Sequence, residues 1–210
     1  MRKEITPIGM MGWSPPAETW ANSGGVAPVR WTVDLYYAAM EAGILYEGAR
    51  MELVRGQIVQ IAERPSPRYY HAVGWLTERL CDVFGDRCTR TRGVLRVSDD
   101  TELEPEALVT RHSWRHYTTD HPAPEDALLV GEVAETTHGF LLDFKSLIYA
   151  QAGVSEYWVV DTVTRELVVH REPGENGYFS VVSSREADAV SPLAAPGISI
   201  AVSDLLLPPE

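Results

Sequence analysis

A chain of 210 residues is long enough to bury one well-packed core and too short to make two domains the default. Its hydrophobic share of 45% and charged share of 23% exclude a disordered or fibrous class, and no apolar run approaches the length of a membrane span. The formal net charge of −12 excludes a protein that coats nucleic acid through a general excess of cations, while leaving room for an enzyme that meets DNA through a local basic patch.

Residues 1–28 are rich in Pro, Gly, Ser and Ala, with Trp13 and Trp20 as large anchors. They read as a flexible N-terminal arm or an oligomer contact, ahead of one domain over 29–210. Pro7 and Gly9 interrupt any apolar segment after Arg2-Lys3, so no secretory signal is expected and the cytoplasm is the default compartment. Thr32 is the expected N-cap of a first helix, with Leu35, Tyr36, Ala39 and Met40 on one face and Gly43 as its stop. A strand pair over 51–54 and 58–62 follows, turning at Arg55-Gly56. Pro65-Ser66-Pro67 opens a second helix in which Tyr69, Val73, Leu76, Leu80 and Val83 recur at helical spacing, ending at Gly85. Strands are then expected over 87–91, 94–97, 107–110 and 127–133, followed by a helix that bears Lys145 and ends at Gly153. Three further strands, over 156–161, 166–170 and 178–182, precede a tail with a short strand and a helical turn within 198–206. This order predicts an α/β fold with a mixed central sheet flanked by helices. Cys81 and Cys88 have neither CxxC spacing nor a disulfide framework and are expected to be reduced packing thiols.

Four acidic residues border apolar segments: Glu52 in MELV, Glu106 in LEPEALV, Glu132 in LLVGEVA and Glu156 in EYWVVD. Glu132 is the sharpest candidate, because a carboxylate within an apolar strand is costly unless it is paired, metal-bound or turned to solvent at a sheet edge. Lys145 follows on the next helix and reads by itself as an ordinary surface lysine. Only the company of the carboxylates raises it. His71, early in the second helix, either packs or reaches a site mouth. His112 and His116 stand four apart, but RHSWRHYTTDHPAP is loop-like and lacks the glutamate of a zincin, so no metal site is expected there. Arg87, Arg90, Arg92 and Arg96 form a candidate basic patch around Gly93, with Arg90 and Arg92 expected on one strand face; a solvated face is the plain alternative. No GxSxG, P-loop or Rossmann glycine pattern is present, so acyl transfer, NTP hydrolysis and dinucleotide binding have no support.

Several segments together carry a resemblance: WTVDLYYAAMEAGILYEGARMELVRGQIVQIAERPSPRYYHA, RVSDDTELEPEALV, LLVGEVAETT, DFKSLIYAQAGVSEYWVVD and PGISIAVSDLL. Over roughly residues 30–205 the chain resembles the Uma-type endonuclease family of the PD-(D/E)XK, restriction-endonuclease-like superfamily. The resemblance implies a metal-dependent DNA endonuclease, with DNA as partner, Mg²⁺ or Mn²⁺ as cofactor, and no membrane. It puts the family's post-proline acid on Glu106, its second carboxylate on Glu132 and its lysine on Lys145. Glu52 is implied as a further metal ligand, and His71 takes the place of the family's histidine. The chain departs from the pattern in having Glu106 where Asp is usual, Arg55 and Gln57 where acids are common, and Leu141 where an Asp often precedes the lysine. The extra methylene of Glu106 keeps a second function class open, a nuclease-like module that binds nucleic acid or protein without cutting. A homodimer joined through the Trp-bearing arm is the third.

Overall fold

The computed structural model describes residues 29–45, 50–60, 66–135 and 139–207, and the arm expected over 1–28 lies outside them. In chain order the elements are α1 (Val33–Glu41), β1 (Met51–Val54), β2 (Gln57–Gln60), α2 (Pro67–Phe84), β3 (Thr89–Thr91), β4 (Leu95–Ser98), β5 (Thr101–Leu103), β6 (Ala107–Thr110) and β7 (Ala127–Ala134). A π-helical segment, Phe140–Lys145, then leads into α3 (Ser146–Gln151), β8 (Glu156–Asp161), β9 (Glu166–Gly174), β10 (Gly177–Arg185), β11 (Ala189–Val190) and β12 (Ile200–Ala201). Among the described residues no helix is long and apolar enough to cross a membrane.

The chain divides into two compact units. The smaller comprises the described residues up to 60 together with Ser98–Glu102. Thr32 caps α1 by accepting a hydrogen bond from the Leu35 amide at 3.3 Å, as its position before an apolar stripe predicts. β1 and β2 form an antiparallel hairpin through Arg55 and Gly56, whose φ values of 50° and 73° fit a two-residue turn with both central residues left-handed. Its small core joins Val33, Tyr36 and Leu53, with Trp31, Met40 and Ile58 packed against them. Leu53 pairs with Glu102 of β5, and the Tyr37 hydroxyl donates to the Glu102 carboxylate at 2.7 Å. The run DDTELE around β5 is too acidic to read as a strand; Tyr37 and the β1 ladder are what make it one.

The larger unit is built on a six-stranded sheet in the order β10-β9-β8-β7-β6-β3. All its pairs are antiparallel except β7 and β8, which run parallel because the Lys145 helix carries the chain back between them. α2 starts at Ser66, whose hydroxyl accepts from the Tyr69 amide, and lays Ala72, Val73, Leu76 and Leu80 on Ala107, Val109, Leu129, Val133, Trp158 and Val160. Gly131 permits that approach, since a Cβ there would lie 3.0 Å from the Leu76 side chain. The C-terminal Ile200, Val202, Leu205 and Leu206 complete the same layer.

The opposite sheet face carries an aromatic cluster. Tyr157 lies 4.9 Å from Tyr149 of α3, 5.1 Å from His170 and 6.4 Å from Tyr178, ring centre to ring centre. Burial lowers the His170 pKa from 6.5 to about 4, because the imidazolium would be stripped of water there. The unfolded chain therefore takes up a proton near pH 6.5 that the native state refuses until about 4. Stability from this group is complete above the unfolded value and is lost as pH falls through that window, by about 3 kcal/mol in all. Urea unfolding between pH 7 and 4 is expected to show a shallower decline for His170→Phe than for the wild type. Equal slopes would refute the assignment.

Candidate active site

β6 and β7 run antiparallel with Leu108 opposite Val130 and Ala107 opposite Gly131. One step further along this register, Glu106 stands against Glu132. On its other side, the Arg92 amide donates to the Glu106 carbonyl at 2.9 Å, so the β3–β6 ladder also extends to Glu106. Directly opposed residues of an antiparallel pair have Cβ atoms roughly 4.5–5.5 Å apart. Both glutamates are buried, at 3% and 1% exposure. Two carboxylates concentrated at one end of a sheet repel each other unless cations join them.

One cation is already there. Lys145 Nζ lies 2.7 Å from Glu132 Oε1, and both side chains are almost fully buried. The Tyr149 hydroxyl donates to the same oxygen at 3.2 Å. Lys145 and Tyr149 are four residues apart, the spacing that brings side chains onto one helix face. The sequence predicts an ordinary helix here, whereas Phe140–Lys145 is π-helical. The Ser146 hydroxyl bonds back to the Leu142 carbonyl, a competition with the regular ladder typical of a serine inside a helix. The Phe140 ring lies 5.8 Å from Lys145 Nζ.

Glu106 is held from the other layer. The Tyr69 hydroxyl, from the first turn of α2, donates to Glu106 Oε1. That turn is anchored by Glu135 just past β7, which accepts from the Ser66 hydroxyl at 2.5 Å and from the Ser66 amide at 3.3 Å. A carboxylate at a helix N-terminus is favourably placed against the helix dipole. Tyr69 and Tyr149 are the side chains that reading the sequence missed as site residues. Tyr69 reads there as part of an apolar stripe, which it also is. Tyr149 had a usable signal in its four-residue spacing from Lys145.

His71 is exposed, with its ring 5.7 Å from Trp75. Two residues of helix turn it about 200° from Tyr69, so Tyr69 is the α2 side chain brought to Glu106. Arg90 and Arg92 do not share a strand face, because β3 ends at Thr91 and Arg92 takes a left-handed φ of 53°. Arg92 instead pairs with Glu104 at 2.8 Å. Glu52 is buried in β1, opposite Val59, within the smaller unit. Glu156 is a buried structural carboxylate, bonded to Arg171, to the Trp158 indole and to the Leu193 amide.

Among the described residues no three His, Cys, Asp or Glu side chains are gathered as a metal cage. A pair is nevertheless a workable donor set for a hard cation: Mg²⁺ commonly takes one or two protein carboxylates and completes its shell with water and phosphate oxygens. The oxygen-only chemistry of Glu106 and Glu132 fits that pattern.

Known proteins supply an independent comparison. No curated protein matches the chain. Among solved structures, the crystal structure of a putative nuclease belonging to DUF820 from Anabaena variabilis superposes with a TM-score of 0.59 at 17% identity, covering 85% of this chain and 97% of that one. That likeness concerns the fold. The family model described as "Uma2: Putative restriction endonuclease" matches residues 35–203, a span that contains Glu106, Glu132 and Lys145, and this chain belongs to the Uma2 family.

Proposed function

We propose that this chain is a metal-dependent DNA endonuclease, hydrolysing phosphodiester bonds at the sheet end marked by Glu106, Glu132 and Lys145. The observation that carries the reading is the strand register that sets Glu106 against Glu132, with Lys145 on Glu132. Glu106 and Glu132 would hold Mg²⁺ or Mn²⁺. When bound, such an ion polarises the phosphoryl oxygen and lowers the pKa of an attacking water. Lys145 faces the developing negative charge. An ammonium has three donors, so a bond to Glu132 and one to a phosphoryl oxygen are compatible. Tyr149 fixes the Glu132 carboxylate by a second hydrogen bond, and Tyr69 does the same for Glu106.

The test is cleavage of labelled single-stranded, duplex and branched DNA with Mn²⁺. Glu132→Gln is expected to lower the rate about 10²–10³-fold, the usual loss when one preorganised electrostatic group is removed. Calorimetric Mn²⁺ binding is expected to disappear in Glu106→Gln. One observation favours a second reading, binding without cutting: both carboxylates are already engaged by the chain's own side chains. DNA binding with no cleavage of any of these substrates would decide for it.

A further inference from the structure

At the other end of β6 from Glu106, basic and aromatic side chains gather on an exposed turn. The Thr110 hydroxyl, at the end of β6, donates to the His112 carbonyl at 2.7 Å. A short 3₁₀ helix, Trp114–His116, follows, with Ser113 as its cap and none of its residues buried. Backbone bonds of 2.8 Å from the Trp114 amide to the Arg87 carbonyl, and from the Arg111 amide to the Asp126 carbonyl, tie the turn to the sheet. It is therefore positioned by hydrogen bonds rather than by a core, and its side chains are left to solvent. The guanidinium carbons of Arg115 and Arg90 lie 5.6 and 5.9 Å from the Trp114 ring centre, and Trp114 is 42% exposed.

The charges here are treated differently from those elsewhere in the chain. Arg79, Arg92, Arg165, Arg171 and Arg185 each sit on a carboxylate. Arg87, Arg90, Arg111 and Arg115 meet none among the described residues; Arg90 and Arg115 approach the Trp114 ring, and Arg111 reaches the Glu125 carbonyl at 3.4 Å. In a protein of net charge −12, two such cations lie over an exposed indole, with Arg87 and Arg111 joined to the same turn through their backbones, which gathers positive charge locally. Arg90 pairs with Leu108, and Leu108 with Val130, so Arg90 stands on the sheet face that carries Glu132. Two strands and two residues separate them, on the order of 10–15 Å at ordinary sheet spacings.

We propose that this patch binds a nucleic-acid strand with unpaired bases, Trp114 stacking on a base while Arg87, Arg90, Arg111 and Arg115 meet phosphates. The inference rests on the endonuclease reading for its choice of DNA and narrows it to single-stranded segments, because a base inside a duplex offers no free face to an indole. An acidic protein surface would satisfy the arginines but would need a planar side chain placed at Trp114, whereas every unpaired base supplies a flat face beside a phosphate.

The experiment is anisotropy of a labelled oligothymidylate of about 20 nucleotides, longer than the site of a single stacking module, titrated with the full chain in EDTA. Trp114→Ala is expected to weaken binding about tenfold to a hundredfold, with Trp114→Phe recovering much of the loss. Arg90→Ala and Arg115→Ala are each expected to reduce the slope of log affinity against log salt by about 0.7. Arg185→Ala, which removes the same charge elsewhere, is expected to bind like the wild type. Equal affinity of Trp114→Ala and wild type, a preference for duplex, or a loss in Arg185→Ala as large as in Arg90→Ala would each overturn the proposal. DNA cleavage with Mn²⁺ by a wild type whose binding ignores Trp114 would sink this inference and leave the endonuclease reading standing. Trp114-dependent binding without any cleavage would do the reverse.

Discussion

Lys145→Met is expected to lower the stability of the larger unit by about 3–5 kcal/mol, the usual cost of stripping one partner from a buried ion pair. The Lys145 and Glu132 side chains are 1% and 2% exposed and 2.7 Å apart, so the loss leaves a buried carboxylate in an apolar strand without its ammonium partner. Solvent cannot reach it to compensate. Two further measurements separate the pair's stability from its proposed chemistry. The double variant Lys145→Met/Glu132→Gln is expected to recover most of the loss, because no uncompensated charge remains. Mn²⁺ is expected to stabilise Lys145→Met more than the wild type, since a cation at Glu132 then replaces the missing ammonium. Urea unfolding with and without Mn²⁺ reads both effects. A Lys145→Met variant as stable as the wild type would mean that the pair is not held as described.

Glu156→Ala should have a destabilising effect of similar size, about 3–5 kcal/mol, for a reason unrelated to catalysis. Glu156 is fully buried at the start of β8, opposite Arg171 in the β8–β9 ladder. Its Oε1 accepts from Arg171 Nε and Trp158 Nε1, both at 2.9 Å, and its Oε2 accepts from the Leu193 amide at 2.7 Å. Arg171 Nη2 continues to the Ser191 carbonyl at 2.6 Å. Truncation therefore leaves a buried indole N–H and an amide N–H without their acceptor and loosens residues 191–193 from the sheet. Hydrogen exchange at the Leu193 amide is expected to speed up along with the fall in the unfolding midpoint. Unchanged protection there would show that the carboxylate does not anchor the segment.

These two glutamates show how far a sequence carries. In EYWVVD and LLVGEVA, Glu156 and Glu132 look alike, each a carboxylate beside an apolar strand. Cost arguments say that both need partners, but not which. Arg171, Trp158 and Leu193 surround one, whereas Lys145 and Tyr149 reach the other, and only strand order and helix placement distinguish a structural carboxylate from a candidate catalytic one. The helix starts at Thr32 and Ser66 and the strand at 107–110 were legible because capping and apolar runs are local rules. β5 was not, because its acidic composition hides a pairing made through distant residues. Arg92 was misplaced on a strand face for a related reason: a left-handed residue ends the alternation, and nothing in TRTRG marks where.

Local patterning by itself thus determined the mixed α/β class and most elements, since periodicity and caps act within a few residues. Together with the family resemblance it also singled out Glu106, Glu132 and Lys145 as candidates. Tertiary structure alone decided that the β6–β7 register brings Glu106 and Glu132 to the same end of the sheet, one step beyond the Ala107–Gly131 pair, that Tyr69 and not His71 is the neighbour from α2, and that the arginines around Trp114 meet no carboxylate among the described residues. Those facts depend on contacts between residues tens of positions apart, whose geometry follows from sheet order and helix packing rather than from any local preference.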